Sequence, residues 1–218
     1  MLTLYTYFRS SAAYRVRIAL GLKGLAYTPA FVHLARGGAD GGGQQHDATY
    51  RAINPAGRVP ALALDGDVIT QSQAIIEFVD ESWPQPPLLP ADARGRARVR
   101  ALSATIACDI HPLNNTSVLA RLKTQFGADD DAVNAWYRHW VENGLTAFEA
   151  LLADGGSGDF CHGDTPGMAD CFLVPQVFNA RRFQCDIAHL ARIQSICQRC
   201  EALPAFAQAA PSAQADAE

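Results

Sequence analysis

The stretch Leu2-Thr3-Leu4-Tyr5, followed after Thr6-Tyr7 by Phe8-Arg9-Ser10-Ser11-Ala12-Ala13-Tyr14-Arg15-Val16-Arg17-Ile18-Ala19-Leu20, decides the fold. Its first four residues read as a strand. The apolar period then changes: Ala12, Val16 and Leu20 stack at i, i+4 and i+8, which is one face of a helix. Ser10 and Ser11 fall where strand gives way to helix. The first turn of a helix carries unpaired N–H groups and the positive end of the macrodipole. Serines there cap the helix, or donate hydrogen bonds to an anion held just outside it. A thiolate is one such anion.

Working outward, strand and helix signals alternate over the first 80 or so residues. Lys23-Gly24 supplies a cationic last turn and a glycine stop. Ala30-Phe31-Val32-His33-Leu34 reads as the second strand, and Gly37-Gly38-Ala39-Asp40-Gly41-Gly42-Gly43 as a flexible loop. A short helix spans roughly 48–53 and ends at Asn54-Pro55, because a residue before proline avoids the α region. Val59-Pro60-Ala61-Leu62-Ala63-Leu64 and Asp67-Val68-Ile69 flank Asp65-Gly66, a strong hairpin signal. A further helix begins at Gln71-Ser72, with Ile75, Ile76 and Val79 on its apolar side. The order βαβ-α-ββα predicts a compact mixed sheet flanked by helices.

Trp83-Pro84-Gln85-Pro86-Pro87-Leu88-Leu89-Pro90 is a proline-stiffened linker, and everything beyond it reads as helical. The expected boundaries are 1–83 for the mixed domain, 84–91 for the linker and 92–218 for an all-helical domain. Asp92 caps a helix carrying Val99, Leu102, Ile106 and Ile110, which stops or bends at Pro112. Helical patterns follow over roughly 130–152, 168–181 and 190–200. The Ala/Pro-rich tail from Ala209 is expected to fray. Arg94, Arg96, Arg98 and Arg100 fan around a helix and read as a solvated start.

A formal net charge of -4 argues against nucleic-acid binding through bulk electrostatics. No run approaches the roughly 18 apolar residues of a membrane span, and the N-terminus lacks a secretory pattern. A soluble cytoplasmic protein without a metal site is the expectation. Six cysteines are scattered without a disulfide framework. Cys197-Gln198-Arg199-Cys200 has redox or half-zinc spacing but no second ligand pair, and it sits late in a helix, so packing is its expected role.

Three motifs agree with one another: Ser10-Ser11 at a helix start, Val59-Pro60 leading into a strand, and Gln71-Ser72 at another helix start. A cis proline after Val59 would leave that residue's backbone free to pair with an extended peptide. The second helix start is a cradle for a carboxylate. Singly, each is also an ordinary cap or turn. Together, with Asn54-Pro55-Ala56-Gly57-Arg58-Val59-Pro60, Gln71-Ser72-Gln73-Ala74-Ile75-Ile76-Glu77, Leu88-Leu89-Pro90 and Leu173-Val174-Pro175-Gln176-Val177, they resemble the cytosolic glutathione transferases, specifically the zeta class.

The resemblance implies a thioredoxin-like N-terminal domain, an all-helical C-terminal domain, glutathione in the cleft between them, and a homodimer. Ser10, Ser11, Ala12, Ala13, Tyr14 and Arg15 would surround the thiol. Val59, before Pro60, would pair with the cysteinyl backbone, while Gln71 and Ser72 take the γ-glutamyl carboxylate. Gln45, His111, Asn115, Thr116 and Ser117 match positions that complete the site. Zeta members usually carry cysteine where this chain has Ala12, which removes any mechanism using a protein thiol there. Glycine at position 167 stands where the class has a Ser or Thr cap, leaving Asp170 to serve the helix start.

The implied reaction is isomerisation of maleylacetoacetate to fumarylacetoacetate, or of maleylpyruvate, by reversible thiolate addition; general conjugation or peroxidase activity on electrophiles is the alternative. An arginine after Asn114-Asn115 would mark the maleylpyruvate branch, and Thr116-Ser117 stands there instead. Bringing a thiol from pKa ~8.5 to ~6.5 takes roughly 2.7 kcal/mol of preferential thiolate stabilisation. A helix terminus gives about 0.3–1 kcal/mol, up to ~2 when partly buried. A hydroxyl bonded to the charge adds roughly 1.5–3 kcal/mol. Together they suffice, with Ser10 the main donor and Ser11 and the Ala12 or Ala13 N–H assisting. An unsaturated dicarboxylate also needs cations. Arg9 lies beside the motif, and Arg182 matches a pocket position. Consecutive helical residues point about 100° apart, so Arg181 should not share that role.

Overall fold

The structure is a computed structural model and describes residues 1–39 and 41–218; Asp40, within the expected glycine-rich loop, lies outside the described residues. The chain forms two compact units, one made of Met1–Leu88 with Ala202–Glu218 and the other of Leu89–Glu201.

In the first unit the elements run β1 (Thr3–Thr6), α1 (Ser11–Leu22), β2 (Thr28–Phe31), α2 (Ala48–Ile53), β3 (Ala61–Leu64), β4 (Asp67–Thr70) and α3 (Ser72–Ser82). The sheet order is β2-β1-β3-β4, with β1 parallel to β2 and the other pairs antiparallel. This is the expected thioredoxin-like arrangement. The Asp65-Gly66 turn has positive φ at both residues, 52° and 98°, which matches the right-handed twist of the strands it joins. β2 starts earlier than its apolar run suggested, pairing Thr28 with Thr3. The strand lies at the sheet edge, where Pro29, which has no N–H, is tolerated. The glycine-rich loop closes on itself through a Gly37–Gly43 bridge.

Lys23 does more than end α1. Its buried ammonium donates to Asp80 Oδ1 at 2.6 Å, Trp83 C=O at 2.7 Å and Pro86 C=O at 2.6 Å. Asp80 Oδ1 also accepts the Leu88 N–H at 2.7 Å. The proline-rich segment up to Leu88 is thereby pinned to its own unit.

The second unit contains α4 (Ala93–Ala104), α5 (Thr116–Phe126), α6 (Asp130–Leu151), α7 (Met168–Arg182) and α8 (Ala191–Glu201). Asp92 caps α4 through the Gly95 N–H at 2.8 Å. Thr105–Ile110 then winds as a π-helix and His111–Asn114 as a 3-10 turn around Pro112. α6 presses against this stretch at Gly144, where a Cβ would lie 2.3 Å from Ile110 Cγ1. α5 was not anticipated. Its signals were Asn115, which caps it, and Gly127, which ends it in the left-handed region at φ 67°.

Arg98 also departs from its solvated reading. It donates to Asp154 Oδ2 at 2.7 Å, Ser157 Oγ at 2.9 Å and Cys161 C=O at 2.6 Å, anchoring the loop after α6. Asp170 serves the start of α7 as expected: Oδ2 accepts the Gly167 N–H and Oδ1 the Cys161 N–H, both at 2.9 Å. Cys197 and Cys200 are buried free thiols on α8, and burial pushes both well above the ordinary thiol range.

The tail does not fray. α9 (Pro204–Ala209) lies on α1, with Ala205 Cβ 3.2 Å from where Gly21 would carry its own. Phe206 is fully buried. The helical domain expected over 92–218 therefore ends at Glu201, and the last segment packs with the sheet unit.

Candidate functional site

Ser10 is the N-cap of α1, with φ -69° and ψ 112°. Its Oγ accepts the Ala13 N–H at 3.2 Å, which leaves its own hydroxyl hydrogen to donate elsewhere. The Ala13 N–H is therefore engaged and does not assist, contrary to expectation; the Ser11 and Ala12 N–H groups remain first-turn donors. Ser11 is buried and Ala12 half-buried. Tyr14 is a core residue: it is buried, and its hydroxyl donates to Phe206 C=O at 3.4 Å. Arg15, also buried, reaches Ser72 Oγ with Nη1 at 3.2 Å. Arg9 is exposed, its guanidinium 4.8 Å from the Phe8 ring centroid.

The turn before Ser10 rests on a residue that sequence reasoning missed. Arg17 is buried and donates through Nη1 to Thr6 Oγ1 at 3.1 Å and Tyr7 C=O at 3.3 Å. Nη2 reaches Phe8 C=O at 3.1 Å and Nε reaches Ala209 C=O at 2.9 Å. Burial lowers its pKa to about 10, opposed by the nearby Tyr27, Asp216 and Tyr14.

Val59 sits in a buried apolar cluster with Tyr7, Phe8, Val32 and Tyr50, so the same packing seats the Ser10 turn and the Val59 loop. Tyr50 Oη and Asn54 Nδ2 both donate to Arg58 C=O, at 2.7 and 2.6 Å. The Val59–Pro60 peptide is cis. No backbone bond to Val59 is formed among the described residues outside the helices and strands. Gln45 Nε2 donates to Leu34 C=O at 3.0 Å, while its buried Oε1 has no partner among the described residues.

Gln71 holds φ 70°, a left-handed conformation rare for a side-chain-bearing residue. Such outliers cost roughly 1–3 kcal/mol and gather at ligand clamps. The turn starts α3 with no side-chain cap for its first-turn N–H groups.

In the second unit, His111 opens the 3-10 turn and is half-buried. Asn115 Oδ1 accepts from Ser117 N–H at 3.0 Å and Ser117 Oγ–H at 2.7 Å, which accounts for both residues as helix capping. Thr116 and Ser117 are exposed. Asn114 is buried with neither amide atom paired among the described residues, and Trp140 Nε1, Gln176 Nε2 and Asn179 Oδ1 are likewise unpaired. Composition gave no sign of these. Arg181 is committed to Glu201 at 2.6 Å and Gln194 at 3.4 Å. Arg182 instead lies over the Phe183 ring at 5.0 Å, with no ion pair among the described residues. The two arginines point apart, as helical geometry requires.

Comparison with known proteins gives a consistent pattern. Residues 4–87 match the model of the glutathione S-transferase N-terminal domain, and residues 130–203 that of the C-terminal domain. A maleylpyruvate isomerase from a Ralstonia species is 49% identical over 216 residues, covering 98% of each chain. A maleylacetoacetate isomerase from Pseudomonas aeruginosa is 49% identical over 214 residues, covering 98% of this chain and 97% of its own. The holo structure of a bacterial zeta-class maleylpyruvate isomerase superposes with a TM-score of 0.93 at 47% identity, covering 99% of this chain and 100% of that one.

Proposed function

The chain belongs to the zeta class of glutathione transferases, and on that premise we propose that it is a glutathione-dependent cis–trans isomerase of maleylacetoacetate. The observation that carries this reading is the Ser10 cap: a hydroxyl that accepts from its own helix and keeps its hydrogen for an anion at the positive end of α1.

Glutathione fits the residues of the first unit. Among the described residues Gln45 Oε1 lacks a donor, Val59 forms no backbone bond outside the helices and strands, and α3 starts without a side-chain cap. When bound, it would supply a thiolate for reversible addition to the cis double bond of the substrate. Ser10 donates to the sulfur, with the Ser11 and Ala12 N–H groups adding the field of the helix end. Val59 pairs with the extended peptide backbone. Gln71 and the first N–H groups of α3 hold the carboxylate, and Arg15 fixes Ser72 from behind. Arg9 is the cation proposed for a substrate carboxylate in the first unit and Arg182 in the second, neither paired with a described acid.

The choice of maleylacetoacetate rests on Thr116-Ser117, where arginine would mark the shorter acid; identity to relatives of the two kinds is equal at 49%. The class supports a homodimer in the cytoplasm. No described helix is long and apolar enough to cross a membrane. Turnover of both cis acids by purified protein, with and without glutathione, tests the reading. A larger kcat/KM for maleylacetoacetate is expected, together with loss of activity when glutathione is withheld. Strong preference for maleylpyruvate, or conversion without the tripeptide, overturns it.

A further inference from the structure

Resting on the Ser10 reading and deepening it, we propose that Asp216 is a positioning residue for the Ser10 hydroxyl, acting with Arg17 on the backbone of the turn that precedes it. Phe8 is held at both of its polar backbone groups. Its N–H donates to Asp216 Oδ2 at 3.0 Å and its C=O accepts from Arg17 Nη2 at 3.1 Å. Tyr7 C=O accepts from Arg17 Nη1 and also from the Ser10 N–H at 3.0 Å. The turn into Ser10 is thus fixed by one guanidinium and one carboxylate.

The arrangement closes on itself. Arg17 lies on the helix that Ser10 caps, so turn and helix share one anchor. Every hydrogen-bond acceptor named for Arg17 is a neutral carbonyl or hydroxyl. A buried cation with such ligands requires an anion nearby. Asp216 is the acid facing Arg17, and Tyr27 and Tyr14 are the other titratable groups beside it. The tail that carries Asp216 is itself stapled. Gln214 Nε2 donates to Gln208 C=O at 2.8 Å and Ala210 C=O at 3.0 Å, while Glu218 pairs with His33 at 3.0 Å and with Arg36. A misplacement of about 1 Å at a reacting group can cost roughly 100-fold in rate.

The test compares D216A, D216N and S10A with the wild type by two readouts. One is amide hydrogen exchange across residues 8–12 without glutathione. The other is the pH dependence of thiolate absorbance in the glutathione complex. D216A is expected to speed exchange and to raise the bound thiol pKa by about half a unit to one unit. D216N keeps an acceptor for the Phe8 N–H but removes the charge facing Arg17, so it should recover part of both changes. A carboxylate acting only through its charge predicts the opposite sign, because removing it would lower the thiol pKa. A residue serving only stability would lower the melting temperature and leave the thiol unmoved. Either result, or failure of D216N to recover, overturns the proposal. An unmoved thiol in S10A retires the Ser10 reading itself, whereas an unmoved thiol in D216A alone retires only the role of the tail.

Discussion

Arg15 Nη1 donates to Ser72 Oγ across 3.2 Å, so the helix begun by the serine pair is tied to the helix start that follows Gln71. Both side chains are buried. S72A removes one acceptor of a buried cation and should cost about 1.5–3 kcal/mol of stability. Glutathione affinity should fall at least about tenfold, and S72T should restore much of both. Chemical denaturation and calorimetry measure the two effects.

Removing the Ser10 hydroxyl should produce two separable losses. The helix cap is worth about 1 kcal/mol, read as a lower denaturation midpoint. The bond to the thiolate is worth roughly 1.5–3 kcal/mol, or about 10- to 100-fold in kcat/KM at pH 7. Because the missing donor favours the ionised thiol, its loss raises the thiol pKa. The S10A pH–rate profile should therefore shift to higher pH and recover toward the wild type in alkaline buffer.

Arg181 and Arg182 are neighbours with different commitments. R182M should cut kcat/KM for the dicarboxylate about 10- to 100-fold, the worth of a charge-assisted hydrogen bond. It should spare conjugation of a neutral aryl halide. R181M breaks the bond to Glu201 and should leave both rates within about twofold, since exposed pairs contribute little. Parallel assays of the two substrates check this.

The Asp154 carboxyl is held down at about 2, first by its hydrogen bond from Arg98 and then by the Gly156 N–H. A depressed folded-state pKa stabilises the fold above the ordinary value of 3.8, and that contribution is lost as pH falls toward 2. The R98M variant should therefore show a shallower loss of stability across pH 4 to 2 than the wild type, measured by urea titrations at each pH.

G144A trades a helix gain of about 1 kcal/mol against overpacking of about 1–3 kcal/mol. Ile110 is fully buried and its Cγ1 would lie 2.3 Å from the new methyl, so overpacking should win and the melting temperature fall. The double variant with I110V should recover part of the loss.

Much of the first unit was legible because its signals are local. A change of apolar period marks the β1–α1 junction, Asp65-Gly66 names its turn, and Asn54-Pro55 ends α2. The functions of Arg17, Lys23 and Arg98 were not legible. Their partners include the backbone carbonyls of Ala209, Trp83, Pro86 and Cys161, groups that every residue carries and no composition marks. The ordered tail is illegible for the same reason, since it holds α1 through carbonyls and the turn before it through one carboxylate. α5 is hard to see in the sequence because Asn115, Thr116 and Ser117 are as suited to binding a ligand as to starting a helix. Gln71 at φ 70° illustrates the opposite case: glutamine has no preference for that region, so only tertiary context could have placed it there.

Lys23 and Lys123 are the only lysines in the chain. With its ammonium fully covered and three oxygens within 2.7 Å, Lys23 offers acylating reagents no approach. Lys123 is half exposed beside Asp130. An amine-reactive dye should therefore mark the folded protein at one side chain and the α-amino group, and appearance of label on Lys23 becomes a clock for unfolding of the sheet-bearing half.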